Sequence, residues 1–360
     1  MLLASVITVL MPVACYWHFY AAMASRVLLG MFLGVTYPCI APLAIKWIPP
    51  DDRPKFLSNM MSQGLGVAIS LPICGLLISL SGWPSVFYVT GFVGVLWSCF
   101  WFYLVYDTPQ KHPRISDQEL LYIESKIGDV EISDRPLNLP WCKILLSAPA
   151  WAIIFSHGAA GFVHFLNITQ LPTYMMDVLH FDTTKNGLWS SLPNLGQYLV
   201  AIAAGCLWKS KKLSLLTTRK IFAGIATLGP AIVCAFMAVY GENHIVALFS
   251  LVTSISLVGA VTAGHLPNNL DISPNFCGTI MGIATTVSSI AGWASTKVVA
   301  VFTEKNSTFD SWRNVFWTMS GVSLFGGLFF IIFAKGEVQK WNSVEKEPNT
   351  TSIYKKSETS

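Results

Sequence analysis

The feature that most limits the fold of this 360-residue chain is the length of its charge-free apolar segments. The stretch from Phe56 to Tyr106 contains no Asp, Glu, Lys or Arg, and similar stretches recur along the chain. A helix needs roughly 20 apolar residues to cross the ~30 Å hydrocarbon core of a bilayer. Only 12% of the residues are charged, whereas 53% are apolar. This pattern predicts an all-α polytopic membrane protein and excludes disordered chains and ordinary soluble enzymes.

Hydropathy predicts ten membrane-spanning helices in this chain. They lie at about residues 2–17, 20–43, 56–79, 86–105, 149–174, 187–207, 221–240, 245–265, 278–301 and 315–334. The first is short, but it lacks the basic start and the small-residue cleavage site of a signal peptide, which favours a truncated membrane helix. We therefore expect the chain to begin partway into its own fold.

A long polar segment, residues 106–148, separates the first four predicted spans from the last six. Ser116 followed by Glu119 is a capping-box pattern, which predicts a short helix that reaches Ile127. A long linker followed by six helices is typical of transporters built from two six-helix halves. The predicted organisation is the remainder of an amino-terminal bundle at 1–105, a cytoplasmic linker at 106–148, a six-helix bundle at 149–335 and a cytoplasmic tail at 336–360.

The loops on the two sides of the predicted membrane differ strongly in positive charge. Of the 23 Lys and Arg residues, 18 fall in the loops and tail of one side and 3 in the loops of the other. Because cytoplasmic loops carry the excess of Lys and Arg, the first side is predicted to be cytoplasmic. The sequon at Asn306 falls on the other side, so we expect Asn306 to carry a glycan. The sequons at Asn167 and Asn349 lie in a span and in the tail, and both are predicted to be silent.

Two cations lie inside predicted spans, where an Arg costs about 2.5–3.5 kcal/mol on insertion scales. Arg26 precedes Gly30 and Gly34 by one and two helical turns, and glycines at this spacing let a neighbouring helix approach. The pattern favours a guanidinium that faces the bundle and binds substrate, although an Arg near the start of a span also snorkels to the surface. Lys297 follows Trp293 by one turn near the outer surface, and the same two interpretations stay open for it.

Histidines are the other titratable groups in the predicted spans, namely His157, His164 and, at the edge of a span, His265. A membrane histidine is more often hydrogen-bonded to a neighbouring helix than catalytic, but each can carry a proton near neutral pH. None of the 19 Asp and Glu residues lies well inside a span. Since a buried cation needs a counter-charge, the sequence predicts an anionic substrate.

No motif supports a different class of protein. Gly64-Leu65-Gly66 and Gly326-Gly327 lie inside apolar helices instead of phosphate-binding loops, and no G-x-S-x-G or H-E-x-x-H motif occurs. An enzyme, a metal site and an organic cofactor are therefore not predicted, and basic residues confined to short loops and tails do not indicate nucleic-acid binding. The predicted partners are a small anion, the lipid bilayer and a coupling ion, Na⁺ or H⁺.

Several short segments, in chain order, carry a family pattern. They are RVLLG at 26–30, GVTYP at 34–38, KWIPP at 46–50, YDTPQKH at 106–112, LPTYM at 171–175, NLDI at 269–272 and FAKGEVQ at 333–339. Together they resemble the sodium/phosphate and sialic-acid (sialin-like) anion transporters of the major facilitator superfamily, and most of all the invertebrate inorganic phosphate cotransporters. The resemblance covers nearly the whole chain.

The resemblance implies a twelve-helix major facilitator fold with ten helices present, in which this chain starts in the third helix. It implies a secondary active transporter, in which His157 matches a histidine of sialin-like members and joins Arg26 and Lys297 as a predicted substrate-binding residue. Leu33 stands where proton-coupled members often have a Glu. Sodium coupling and exchange therefore stay open beside proton coupling.

Two functions from different classes remain open at this point. The first is transport of phosphate or small carboxylates across a plasma, endolysosomal or vesicular membrane. The second is a truncated, transport-dead membrane protein that acts as a partner or regulator. The expected start of the chain partway into its fold fits this function, and so does Leu33 in place of the Glu. A membrane-embedded enzyme is the least favoured class, because the spans contain no acid–base pair.

Overall fold

The computed structural model describes residues 1–60, 62–127, 139–180, 183–207, 213–304 and 306–342. In these residues the regular structure is helical throughout, without a strand, which confirms the predicted all-α class. The helices before the polar segment are α1 (Leu2–Trp17), α2 (Phe19–Gly34), α3 (Thr36–Trp47), α4 (Arg53–Met60), α5 (Gln63–Ser81) and α6 (Pro84–Leu104). Those within it are α7 (Asp117–Ile127) and α8 (Trp141–Leu145). The later helices are α9 (Ala148–Asp177), α10 (Thr183–Leu207), α11 (Leu215–Tyr240), α12 (His244–Val258), α13 (His265–Ile272), α14 (Cys277–Thr303) and α15 (Phe309–Phe333).

All ten predicted spans fall on helices. Seven helical stretches in the described part are long and apolar enough to cross a membrane, namely Phe19–Trp47, Pro84–Leu104, Ala148–Leu171, Leu215–Tyr240, His244–Ile272, Cys277–Thr303 and Phe309–Phe333. The other three predicted spans correspond to α1, to α4 with α5, and to α10. The predicted linker helix is present as α7, and its capping bond forms, because the backbone N–H of Glu119 donates to Ser116 Oγ at 3.2 Å.

Besides the span made up of α4 and α5, two of the predicted spans are interrupted helices. Val35 separates α2 from α3, and a short 3-10 turn at Gly259–Thr262 separates α12 from α13. Gly264 makes the second interruption possible, since a Cβ at this position would lie 2.7 Å from the backbone nitrogen of Ala223 on α11. The start of α13 is therefore held directly against α11, and this placement fixes the position of His265.

The second half of the chain forms a closely packed bundle in which α9 contacts α14 and α15, and α11 contacts α12 and α15. The end of this bundle that is predicted to face outside is filled by aromatic rings. The Tyr174 ring lies 5.0 Å from that of Trp312 and 5.3 Å from that of Phe316, centroid to centroid. The Tyr174 hydroxyl donates to the Gly241 carbonyl at 3.2 Å, so a buried polar group is satisfied inside this apolar cluster.

The two halves of the chain meet at close glycine contacts. A Cβ at Gly64 on α5 would lie 2.5 Å from the backbone oxygen of Asn194 on α10. A second contact joins α14 to α3. A Cβ at Gly278 on α14 would lie 3.1 Å from Pro42 Cγ and 3.2 Å from the carbonyl oxygen of Pro38, both on α3. The Gly64 contact lies deeper, near the middle of α10, whereas the Gly278 contact lies at the ends of α3 and α14 that are predicted to be cytoplasmic. Near the same end of α10, a Cβ at Gly205 would lie 3.0 Å from the carbonyl oxygen of Pro54. The halves are thus closed against each other on that side.

Gly30 and Gly34 make no close helix contact among the described residues, and their packing role stays a prediction. No described atom lies within 4 Å of a Cβ built on either glycine. Gly34 is instead the last residue of α2, next to the interruption at Val35. The close helix contacts are formed by other glycines, among them Gly64 and Gly264, whose spacing along the sequence shows no such motif.

Candidate functional site

A cavity of about 280 Å³, lined by both apolar and polar residues, lies between the two halves of the chain, a few residues from the contact at Gly64. Gln63 at the start of α5 contributes one wall, and α9, α10 and α14 contribute the others. The polar residues that line it are Gln63, His157, His164, Gln197, Thr285, Ser288 and Ser289. Ligands that cross a membrane between two rocking halves bind at such an interface.

His157 and His164 reach the cavity from the same helix. They are seven residues apart on α9, and residues at this spacing lie on one face of a helix, two turns from each other. Their helix continues unbroken from Ala148 to Asp177, so the two imidazoles have a fixed relative position. The cavity therefore has two basic groups along one wall.

His157 is the cavity end of a hydrogen-bonded chain of three side chains. Its Nδ1 lies 3.2 Å from Nε2 of His265, and Nδ1 of His265 lies 3.1 Å from the hydroxyl of Ser156. His265 and Ser156 are fully buried, whereas His157 is half-buried and lines the cavity. Because Nδ1 of His157 is engaged with His265, its Nε2 is the nitrogen left for a ligand.

The chemistry of the cavity suits an anion better than a cation. Among the residues that line it in the described part of the chain, there is no Asp or Glu, and the polar groups are imidazoles, amides and hydroxyls that can donate hydrogen bonds. Two of these residues have buried polar atoms, Nδ1 of His164 and Oγ1 of Thr285, without a hydrogen-bond partner among the described residues. Since such atoms are costly when unsatisfied, a polar ligand that hydrogen-bonds them would be stabilised.

The three residues predicted to bind substrate are not brought together in this structure. His157 lines the cavity, but Arg26 and Lys297 do not. Arg26 is exposed on α2, with its guanidinium carbon 5.7 Å from the centre of the Phe87 ring, and Lys297 is exposed on α14. Their role in binding stays a prediction of the sequence alone.

Two larger cavities lack these properties. One of about 530 Å³ lies among α3, α4 and α6 and is lined by apolar side chains such as Trp47, Phe56 and Trp101. The other, of about 1090 Å³, is an open groove beside the polar segment, and it carries charges of both signs, among them Lys46 and Glu124. Neither lies between the two halves of the chain, so neither is a path across the membrane.

Several residues of the cavity could not be singled out from the sequence. Gln63, Gln197, Thr285 and Ser288 are polar residues within apolar helices, and nothing in their spacing separates them from polar residues elsewhere in the spans. Ser156 gave no signal either. His265 stands out as a titratable residue at a span's edge, but only the interruption before α13 brings it to His157.

The sequence and the fold have recognisable relatives. Residues 1–296 match the sequence profile of the Major Facilitator Superfamily. The chain is 36% identical to human sialin over 342 residues, which is 94% of this chain and 68% of sialin. It is 32% identical to zebrafish vesicular glutamate transporter 2.2 over 352 residues, which is 96% of this chain and 60% of that transporter.

A solved structure of a membrane transporter has a similar fold. The crystal structure of the human organic anion transporter MFSD10 is similar with a TM-score of 0.61, covering 92% of this chain and 76% of that one at 16% identity. At this level of identity the similarity is one of fold. The relatives in sequence and the neighbour in structure are thus membrane transporters.

Proposed function

Because the chain belongs to the Major Facilitator Superfamily and is a multi-pass membrane transporter, not an enzyme, we propose that it moves a small organic or inorganic anion across the bilayer by alternating access. The substrate class follows from the relatives, which include sialin and a vesicular glutamate transporter. Carboxylates and phosphate are the candidates, since both are compact anions that accept several hydrogen bonds.

The observation that carries this proposal is the kind of polar group that lines the cavity between the two halves. It is lined by His157, His164 and donor groups of Gln197 and Thr285, and by no described carboxylate. An anion in this cavity would receive hydrogen bonds without facing a like charge, whereas a cation would meet no counter-charge. The fold supplies the enclosure, and these side chains supply the preference for negative charge.

Alternating access requires that the two halves separate on one side of the cavity while they close on the other. In this structure, contacts such as Gly205 with Pro54 and Gly278 with Pro42 close the side predicted to be cytoplasmic. Opening on that side would part α5 from α10 and α3 from α14, and would expose Gln63 and the histidines to it. The cavity can then release its ligand on that side.

A vesicular or endolysosomal membrane is the location that the relatives favour, since one of them is named a vesicular transporter. A plasma membrane is the other location that the sequence suits. Coupling to an ion, Na⁺ or H⁺, is part of the proposal, and Arg26 and Lys297 remain proposed substrate residues. The competing function is that of a transport-dead partner or regulator, and it predicts no flux at all.

Counterflow in proteoliposomes tests the proposal. Vesicles that contain the purified 360-residue protein are loaded with unlabelled L-glutamate, sialic acid or inorganic phosphate, and entry of the same labelled compound is measured. We expect uptake of at least one anion above that of protein-free vesicles, with none for a neutral hexose. Absence of counterflow for every anion would contradict transport and support the partner function.

A further inference from the structure

Ser156, His265 and His157 form a hydrogen-bonded path that leads from the buried hydroxyl of Ser156 through two imidazoles to the cavity. Ser156 Oγ contacts Nδ1 of His265 at 3.1 Å, and Nε2 of His265 contacts Nδ1 of His157 at 3.2 Å. Each of the two imidazoles has two nitrogens, and the neutral pair holds one hydrogen in the bond between them. The remaining nitrogen of His157, Nε2, is the end of this chain that a ligand in the cavity can reach.

We propose that His157 takes up one proton together with the anion, and that His265 is the positioning residue that accepts the Nδ1–H of the protonated His157. This inference rests on the proposed function and names the coupling ion for that site. A proton from the open side of the cavity binds the free nitrogen of His157. The resulting imidazolium donates from Nε2 to the anion and from Nδ1 to His265.

The charge balance in the cavity supports this step. Among the described residues that line it, the two histidines are the only side chains that can become positively charged. An anion that left water for this cavity would need a counter-charge, and a proton on His157 supplies it. When the halves rock and the anion leaves, the imidazolium loses its partner and releases the proton to the same side.

His157 is better placed than His164 to hold the proton. An imidazolium needs an acceptor for each of its two N–H groups. His265 offers the acceptor for His157, while Nδ1 of His164 has no partner among the described residues. Ser156 completes the arrangement, because its hydroxyl can donate to Nδ1 of His265 or accept from it as the tautomer of His265 changes.

The other titratable groups around His157 are few. Several helices pack on α9. Three of them, α10, α12 and α14, contain no Asp or Glu. Asp310 on α15 and Asp177 on α9 itself lie at the end of the bundle that is predicted to face outside. From α11, Arg219 reaches the backbone oxygen of Ala263, two residues before His265, but its charge is paired with Asp271. His265 from α13 and His164 on α9 are therefore the groups that face His157.

Two substitutions at His265 separate this role from a merely structural one. His265→Leu fills the buried position without an acceptor, whereas His265→Gln restores an acceptor oxygen that cannot itself be protonated in this pH range. His18→Asn is the matched control, since His18 caps α2 outside the cavity and Asn is an equally good cap. The measurements are counterflow and accumulation driven by an acidic exterior, both with the anion that the wild-type protein carries best.

The expected result is a separation of the two measurements. Wild type and His18→Asn accumulate the anion when only the exterior is acidic. His265→Leu loses this accumulation, and its counterflow, weakened near neutral pH, recovers when both sides are acidified, because a higher proton concentration offsets the missing acceptor. His265→Gln recovers much of the accumulation, and His157→Gln loses it. A lumenal pH dye should report proton entry with the anion in wild type and not in His265→Leu.

Each other result overturns the inference. Accumulation by wild type that does not respond to the pH gradient, or by His265→Leu at the wild-type level, would exclude this proton site. Equal loss in His265→Leu and His265→Gln, or a loss of counterflow that acidification of both sides does not recover, would show that His265 only supports the fold. The proposed function is judged separately, because it fails only if wild type shows no counterflow for any anion.

Discussion

Arg219 on α11 and Asp271 near the end of α13 form a buried ion pair, with 2.8 Å between Nε and Oδ2 and with side chains that are 2% and 12% exposed. Nη1 of Arg219 also donates to the Ala263 carbonyl at 3.1 Å, across the interruption between α12 and α13. Arg53 of the first half lies near this pair. Burial lowers the pKa of the Arg53 guanidinium from its ordinary value, and the charge of Asp271 partly opposes that shift. The pair therefore fixes the helix end that carries His265 and also faces the other half.

Removal of the acid from this pair should destabilise the protein. Asp271→Asn leaves the buried guanidinium of Arg219 without its counter-charge, and loss of one partner of a buried pair costs up to about 3–5 kcal/mol. We expect a clear drop in the melting temperature of the protein in detergent. Fluorescence size-exclusion chromatography of heated samples measures this temperature. Asp310→Asn is the control, since the pair of Asp310 with Arg313 is exposed and is worth about 0–1 kcal/mol. Equal melting temperatures for the two variants would contradict a stabilising role for the buried pair.

A larger residue at Gly64 should favour opening of the side predicted to be cytoplasmic. Gly64→Val would place a Cβ 2.5 Å from the backbone oxygen of Asn194, and a carbonyl cannot move aside as a side chain can. The halves should separate there, and a cysteine introduced at the buried Ser58 should react faster with an impermeant maleimide from that side. The background for this measurement lacks the eight native cysteines.

Gly66→Val is the matched control for this change. It alters the same helix two residues away, where no described atom lies within 4 Å of an added Cβ. Labelling of Ser58→Cys should then stay at the level of the parent protein. If Gly64→Val also leaves the labelling rate unchanged, α5 and α10 do not separate as alternating access requires.

Glycosylation tests the predicted orientation of the helices. Asn306 is exposed between α14 and α15, so the acceptor nitrogen is accessible to the transferase. A glycosidase should increase gel mobility of the wild-type protein but leave Asn306→Gln unchanged. Asn167→Gln should behave as wild type, because Asn167 is 2% exposed and donates to the Val163 carbonyl at 2.8 Å. A protein without a glycan on Asn306 in a glycosylating host would contradict the orientation.

Arg26 can be tested apart from the cavity. A guanidinium holds a carboxylate or phosphate by two parallel hydrogen bonds, and an ammonium cannot reproduce this geometry. If Arg26 binds the anion, Arg26→Lys should lose most of the uptake although it keeps the charge, and Arg26→Ala should lose at least as much. Normal anion uptake by Arg26→Ala at matched protein levels would show that Arg26 stays exposed on α2 and does not bind the anion.

Much of the fold follows from the sequence because long apolar segments permit little except membrane helices. Helices at the positions of the ten predicted spans, seven of them long and apolar enough to cross a membrane, and the capped helix that follows Ser116 were predictable from hydropathy and capping residues. The interruptions at Val35 and before His265 were not, since each depends on how a helix meets its neighbours. For the same reason the sequence did not single out Gly64 and Gly264, which make close contacts without a motif, while a packing role for Gly30 and Gly34 stays a prediction.

The candidate site was predictable only in part. His157 was singled out as an ionisable residue in a span, and it does line the cavity. Its link to His265 joins residues 108 positions apart, and no local pattern reports such a contact. The ion pair of Arg219 with Asp271 was missed because both residues lie in loops between predicted spans, where charges are usually solvated.

Protection of a cysteine in the cavity by substrate tests the central claim most directly. Thr285→Cys places a thiol among the residues that line the cavity, while Thr286→Cys places one on the exposed face next to it. In a background without native cysteines, the anion carried in counterflow should slow maleimide labelling of Thr285→Cys and leave Thr286→Cys unaffected, with no effect of a neutral hexose. Labelling of Thr285→Cys that is unchanged by a saturating concentration of the transported anion would contradict binding in this cavity.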